Sequence, residues 1–330
     1  MTRDLLRIQR TIYEPDSLAT LVKAYYGFDR VFCQLLKPMM ADTYSIWADN
    51  TQYLLRIFRH RQYTHRQIKD QMQMLTYLDE MGIPVTAPVP KRSGEMLTHF
   101  QAPEGERYGV LFRYLPGKPL NQQLTPDHAY KYGEILAQLH ATLDKLTILY
   151  DRPPLNADTL LRDPIRNLKG SGLLAHRARD LGYLHRISSV LRTRIANLTY
   201  QKPDFGMIHG DVDPSNAIIM ADGRIGLIDF DMSGEGHRIY DLAAFQAEAN
   251  FRGAPEVLTE KFIEGYQSLR KLSRDERQAL PIYRAARVIW SLGLYATNVN
   301  EWGSYRITDN FIDRQFDDIR AAMMEFQLSE

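Results

Sequence analysis

Cysteine is almost absent from this chain. Among 330 residues only Cys33 carries a thiol, which excludes an internal disulfide framework and fits a reducing compartment. A surplus of one charge sign is also missing: 41 Lys and Arg stand against 40 Asp and Glu, so nothing points to nucleic acid or to an anionic membrane as partner. Long apolar runs are lacking too. The greasiest passage, "RVIWSLGLYA" from Arg287, is far shorter than the roughly 20 residues a spanning helix needs. The N-terminal "MTRDLLRIQR" is charged where a signal peptide requires an apolar core. There is no internal repeat and no low-complexity tract. These absences predict a soluble, cytoplasmic protein that binds neither membrane nor nucleic acid. The remainder is ordinary for a globular chain, with 44% hydrophobic and 25% charged residues, and the length suits two domains or two lobes.

The first hundred or so residues predict strands around one helix. "RVFCQLLKP" from Arg30, "TYSIWAD" from Thr43 and "TQYLLRIFRH" from Thr51 are short, rich in β-branched and aromatic residues, and bounded by turn formers. In "THRQIKDQMQMLTYLDEMGIP" the residues Ile68, Met72, Leu75 and Leu78 recur at helical spacing, with Gly82 as a stop and Pro84 beyond it. A further strand pair is expected around 95–100 and 108–114, and the Pro-Gly of "YLPGKPL" marks a lobe boundary near residue 114. Helical patterning then takes over. Thr125 is an N-cap candidate with Pro126 at the first helical position, and Ala129 through Leu143 trace one apolar face, which makes His140 a core histidine. Two or more helices are expected over 155–200, and helices with short connections from Ala243 onward.

Between the helical stretches lies "MIHGDVDPSNAIIMADGRIGLIDFD", Met207 to Asp231. From Gly206 to Phe251 there are eight acidic residues against two arginines, a density that cations would relieve. Asp222-Gly223, flanked by "AIIM" and "RIGLI", is a strong hairpin signal. A two-residue turn there sets Asn216 opposite Asp229, close enough for both to ligate one hard cation such as Mg²⁺, which takes oxygen ligands and is completed by substrate phosphates. A three-residue loop would shift this pairing by one. Asp211, five residues before Asn216 in the loop entering the first strand, suits a base that orients a hydroxyl nucleophile. His209 is placed to hold that loop's backbone. His209-x-Asp211 also allows a hydrolase metal site, but no second histidine follows at metal-site spacing.

"HGDVDPSN", then "LIDFD", then "GHRIYDLA" resemble the aminoglycoside phosphotransferase/choline kinase superfamily, relatives of the protein kinases that include homoserine kinases of the second type and bacterial stress-response kinases. The resemblance implies an α+β, bilobal protein-kinase-like fold: a small antiparallel-sheet lobe for the nucleotide over residues 1–113, and a mainly helical lobe with the catalytic hairpin and acceptor site over 114–330. It implies ATP and Mg²⁺, with Asp211 as the catalytic-loop aspartate, Asn216 and Asp229 on the metal, and Asp241 bracing the site. Asp231 and His209 join Asp241 as supporting residues. The adenine is expected on the backbone around Phe112, Arg113 and Tyr114.

Two positions depart from the family. The third-strand lysine that meets the nucleotide phosphates and its glutamate partner on the next helix are replaced, by position, with Arg56 and Gln71. Arginine grips phosphate bidentately but is no like-for-like substitute for lysine; Gln71 shares the buried helix face and needs a hydrogen-bond partner there, for which Arg56 is the candidate. The segment expected over the phosphates, "KPMMADTY", has no glycine. Three functions follow: a phosphotransferase acting on a hydroxyl, a kinase-shaped binder without turnover, and a metal-dependent phosphohydrolase. The first is favoured, because Asp211, Asn216 and Asp229 are all in place. Its acceptor is expected to be a small alcohol or amino-alcohol, with a protein Ser/Thr as the alternative. The late helices that would wall the acceptor mix acids such as Glu248 with arginines such as Arg252, Arg284 and Arg287, and their facing is not readable from sequence.

Overall fold

The computed structural model describes residues 8–148, 150–305 and 307–328; the first seven residues of the charged N-terminal stretch lie outside these. The chain forms two compact units, one of residues 1–116 with 147–151, the other of 117–146 with 152–330.

The first unit is built on an antiparallel sheet of five strands, β1 (Val31–Pro38), β2 (Ala41–Ala48), β3 (Thr51–Phe58), β4 (Leu97–Ala102) and β5 (Gly105–Arg113), in the order β1-β2-β3-β5-β4. Alternating burial explains the strands: in β2, Tyr44 and Ile46 face the core, and so do Leu55 and Ile57 of β3. The unit holds two helices where the sequence predicts one. The helix missed is α1 (Pro15–Tyr26), with Pro15 at its first turn and Gly27 at its C-cap. Only Leu18 and Val22 are fully buried on it, which is too few for a visible 3.6-residue pattern. The expected helix is α2 (His65–Glu80), opened by a reciprocal capping box between Thr64 and Gln67. At one end of the sheet the wholly buried guanidinium of Arg107 pairs with the equally buried Asp42 at 2.5 Å, and donates to the carbonyls of Phe58, Ile57 and Thr11.

The second unit is mainly helical. After the short β6 (Lys118–Pro119) comes α3 (Pro126–Leu143), capped by Thr125, whose side chain accepts the His128 amide. Helices α4 (Asp163–Ser171) and α5 (Ala178–Ala196) follow. Strands β7 (Phe205–Ile208), β8 (Ala217–Ile219), β9 (Ile225–Leu227) and β10 (Gly234–His237) come next, β7 pairing with β10 and β8 lying between β6 and β9. Four helices close the chain, α6 (Ile239–Phe251), α7 (Glu256–Leu269), α8 (Arg274–Trp302) and α9 (Asp309–Leu328). A five-stranded antiparallel sheet followed by a helical unit is the fold class the sequence predicts.

The hairpin register is one residue off the expected one. Ala217 pairs with Leu227 and Ile219 with Ile225, so the turn is a three-residue loop and Asn216 faces Ile228, whose amide bonds the Asn216 carbonyl at 3.0 Å. Gly223 is the cause. It takes a left-handed φ of 80° and closes a tight loop through its amide to the Met220 carbonyl at 2.9 Å, the three-residue hairpin that a left-handed glycine permits. Asp229 therefore sits one position beyond the residue facing Asn216, not opposite it.

Candidate active site

Strand β7 delivers the chain into the loop His209-Gly210-Asp211, and that loop is anchored from below. Asp241, on the first turn of α6, is fully buried and accepts the His209 amide at 2.9 Å and the Gly210 amide at 2.8 Å. Its Oδ2 also takes a hydrogen bond from His140 Nε2 of α3 at 2.9 Å. The other ring nitrogen of His140 accepts from the Tyr266 hydroxyl at 2.8 Å, so both nitrogens are satisfied by the neutral tautomer. Burial pushes the His140 pKa down to about 4, against the pull of Asp241. Burial alone would raise the Asp241 carboxyl, yet the His140 hydrogen bond and the Gly210 amide bring it below its ordinary value. The pair is a neutral imidazole on an ionised carboxylate. His140 is thus the satisfied core histidine its place on the apolar face predicts.

His209 is itself buried. Its Nδ1 accepts the Asp211 amide at 3.3 Å and its Nε2 donates to the Ile228 carbonyl at 3.1 Å, tying the loop to the end of β9. Gly210 has φ of 78°, and a Cβ there would lie 2.1 Å from the Met232 carbonyl oxygen. Only glycine fits that position.

Asp211 emerges from this support with its side chain 24% exposed. Asn216 Nδ2 donates to Asp211 Oδ2 at 2.8 Å and to the Asp211 carbonyl at 3.0 Å. Arg287 Nη2 donates to the other carboxylate oxygen at 2.5 Å. Because Asn216 turns its NH₂ toward Asp211, its amide oxygen is the atom left to meet a cation. Asp229 holds φ of 63° and ψ of 62°, a left-handed conformation that costs a non-glycine residue free energy and is tolerated best by Asp and Asn. Strain of this kind concentrates at functional positions. Among the described residues no group of three or more His, Cys, Asp or Glu forms a metal cage; the Asn216 amide oxygen and the Asp229 carboxylate are oxygen donors of the kind a hard divalent cation takes. Asp231 is buried, and its carbonyl accepts from the Arg152 guanidinium.

Two residues of the expected acceptor wall, whose facing the sequence leaves open, gather around Asp211. Glu248 of α6 lies 3.4 Å from the same Arg287 nitrogen that holds Asp211. Burial pushes the Glu248 carboxyl up to about 7, with Arg287 opposing and the carboxylates of Asp213 and Asp211 adding to the rise. Arg287 of α8 is buried; burial works against its charge, but Asp211 and Glu248 hold its pKa well above the ordinary value. Other residues of the expected acceptor wall have different partners. Arg284 pairs with Glu325 at 2.6 Å, and Arg252 Nη2 donates to both carboxylate oxygens of Asp213 at 3.0 Å.

The remaining predicted residues belong to the first unit. Arg56 is half-buried in β3, in register with Thr43 and Val110. Gln71 is 2% exposed on α2. Phe112 is buried and paired with Leu54, and Tyr114 is half-buried. The Arg113 amide donates to the Ala87 carbonyl at 2.9 Å and its guanidinium pairs with Asp79, so its N–H already has a partner within the unit.

The phosphotransferase enzyme family matches residues 35–281 of this chain, and the chain belongs to it. A protein of Deinococcus radiodurans described as uncharacterised is 31% identical over 92% of this chain and 88% of its own length. The homoserine kinase of Caulobacter vibrioides is 25% identical, covering 78% of this chain and 77% of its own. Among solved structures, a microcompartment-associated aminopropanol kinase superposes with a TM-score of 0.77 at 20% identity, over 95% of this chain and 98% of that one. The chain is a phosphotransferase of the kinase kind, acting on a hydroxyl group.

Proposed function

We propose that this protein transfers the γ-phosphoryl group of ATP, with Mg²⁺, to a hydroxyl of a small alcohol or amino-alcohol of the aminoglycoside, homoserine or choline type. The observation that carries the reading is Asp211: a part-open carboxylate with a donor on each oxygen, in a loop whose backbone is pinned by buried Asp241. In this reading Asp211 accepts the hydrogen bond of the acceptor hydroxyl and aims its oxygen. That oxygen forms the new bond to the γ-phosphorus, the bond to the β-phosphate bridging oxygen breaks, ADP leaves with the electron pair, and the hydroxyl proton passes to Asp211. Asn216, through its amide oxygen, and Asp229, through its carboxylate, would hold the Mg²⁺, which when bound neutralises charge on the phosphates. His209, Asp231 and Asp241 keep the loop and hairpin in place.

Residues 1–113 form the nucleotide-binding half of this reading. Arg56 meets the phosphates there, with Gln71 as its neighbour, and the backbone from Phe112 to Tyr114 meets the base through groups other than the Arg113 N–H, which Ala87 holds. Residues 114–330 supply the chemistry and the acceptor site. The reading sets the enzyme in the cytoplasm, in line with its lone buried thiol, Cys33. The test is ADP release from ATP–Mg²⁺ across a panel of hydroxyl compounds, among them 1-amino-2-propanol, homoserine, choline and an aminoglycoside. Acceptor-dependent turnover supports the reading. Turnover on a protein serine with every small alcohol inert would reassign the acceptor, and no nucleotide binding at all would overturn the proposal.

A further inference from the structure

We infer that Arg287 is the positioning residue of the reaction: its guanidinium fixes the carboxylate of Asp211 against the loop backbone, and Glu248 holds that guanidinium in place. This inference rests on Asp211 having the role proposed above. Arg287 lies in the middle of α8, a helix opened by the capping box of Ser273 and Glu276. Its side chain is 4% exposed and lies over the Trp290 ring, 4.8 Å from the centroid, so the planar fork arrives with little freedom left. Nη1 points at the Gly210 carbonyl at 3.4 Å and Nη2 at Asp211 Oδ1 at 2.5 Å. One rigid group therefore spans the backbone of one loop residue and the side chain of the next, which sets the side-chain torsions of Asp211. Asn216 holds Asp211 from the other side, donating to its carbonyl and to its second carboxylate oxygen. Glu248 faces Nη2 from α6 at 3.4 Å and keeps the guanidinium from rotating away.

The arrangement suits orientation rather than binding. Arg287 reaches the loop from within the helical core, and its two terminal nitrogens are engaged by the Gly210 carbonyl and Asp211 Oδ1. Misplacing a catalytic group by about 1 Å is enough to cost about 10²-fold in rate, so the value of the clamp is read in turnover, not in affinity.

The experiment is a double-mutant cycle on the full chain, scored by ADP release with the best acceptor of the panel, or with water as acceptor if none turns over. Arg287→Ala is expected to lower kcat by about 10²-fold while the KM for ATP stays within about two-fold, and Arg287→Lys to recover part of the loss, because it restores the charge without the fork. In the Asp211→Asn background, Arg287→Ala should cost less than about three-fold further, since it acts through the carboxylate already removed. If the full loss persists in that background, Arg287 acts on its own and the inference falls. If Arg287→Ala turns over normally while Asp211→Asn is inactive, the inference falls and the role of Asp211 stands. If Asp211→Asn itself turns over normally, both fall. Should Arg287→Ala not fold, Arg287→Lys carries the same cycle: a kcat loss that disappears in the Asp211→Asn background supports the inference, and wild-type kcat overturns it.

Discussion

Each unit of this protein contains a buried arginine paired with an aspartate, and the two pairs differ in how completely they are closed. In the first unit Asp42 and Arg107 both have no side-chain exposure, and the guanidinium is further satisfied by three backbone carbonyls. In the second, Arg287 is nearly as buried, but Asp211 remains 24% exposed. Desolvating two charges is costly, and a closed pair recovers that cost only when further hydrogen bonds meet its remaining donors, as the three carbonyls do at Arg107. It then fixes one conformation and offers nothing to a ligand. The half-open pair at Asp211 is placed by the protein yet still faces outward. Completeness of satisfaction, rather than burial of the arginine, separates a structural pair from one available for chemistry.

The comparison breaks most clearly at the aspartates. Asp211→Asn should reduce turnover by about 10²–10⁴-fold, roughly 3–5 kcal/mol of barrier, with nucleotide binding and melting temperature largely kept. Asp42→Asn should do the reverse, lowering unfolding free energy by roughly 3–5 kcal/mol while kcat per folded molecule is unchanged; denaturant melts paired with turnover on the folded fraction decide it, and a kcat loss at Asp42 would erase the distinction. Next in size is Asp229→Gly. Magnesium-dependent ATP affinity should fall by at least about 10²-fold, roughly 2.7 kcal/mol by calorimetry, whereas the melting temperature holds or rises because glycine accepts the left-handed backbone freely. Unchanged affinity would remove the hairpin from the metal site.

Smaller effects sharpen the same contrast. Arg56→Ala should raise the KM for ATP by about ten-fold. Gln71→Glu should be tolerated and Gln71→Leu should weaken ATP binding; unchanged constants in all three would leave Arg56 a strand residue only. The last effect is in pH and is read in stability rather than in turnover. His140 stays neutral when folded down to about pH 4, while the unfolded chain takes up its proton near the ordinary 6.5. Stability should therefore fall as pH drops from about 6.5 to about 4, and level off below in respect of this group. His140→Gln should flatten that part of the profile in a pH series of melts, and an unchanged slope would count against a neutral buried imidazole.

Much of this was readable from local signals. Thr125 and Pro126 mark a helix start because a cap and a preset φ act within one turn, and the alternation in 43–58 marks strands because each side chain faces core or solvent in turn. The hairpin was legible as a hairpin but not in its register, since Asp222-Gly223 is compatible with a two- or a three-residue loop and only the left-handed Gly223 decides between them. Helix α1 escaped notice because two buried residues, Leu18 and Val22, make too thin a stripe. The contact of Arg287 with Asp211 joins residues far apart in sequence through the packing of α8 and α6, and no spacing rule encodes which of several arginines on late helices turns toward Asp211. Arg252, Arg284 and Arg287 look alike in sequence and have three different sets of partners.

The double anchoring of His209 and Gly210 on Asp241 has a consequence for how the molecule breathes. Both amides are bonded to a carboxylate that is itself buried between α3 and α6, so they exchange their hydrogens with solvent only when that helical packing comes apart. Amides so placed belong to the slowest-opening part of a protein, in contrast to the fraying loops that usually carry function. The strand-to-loop junction behind Asp211 thus behaves as core. A bound ligand changes what surrounds the carboxylate, while the peptide groups behind it keep the protection of the helices they are tied to.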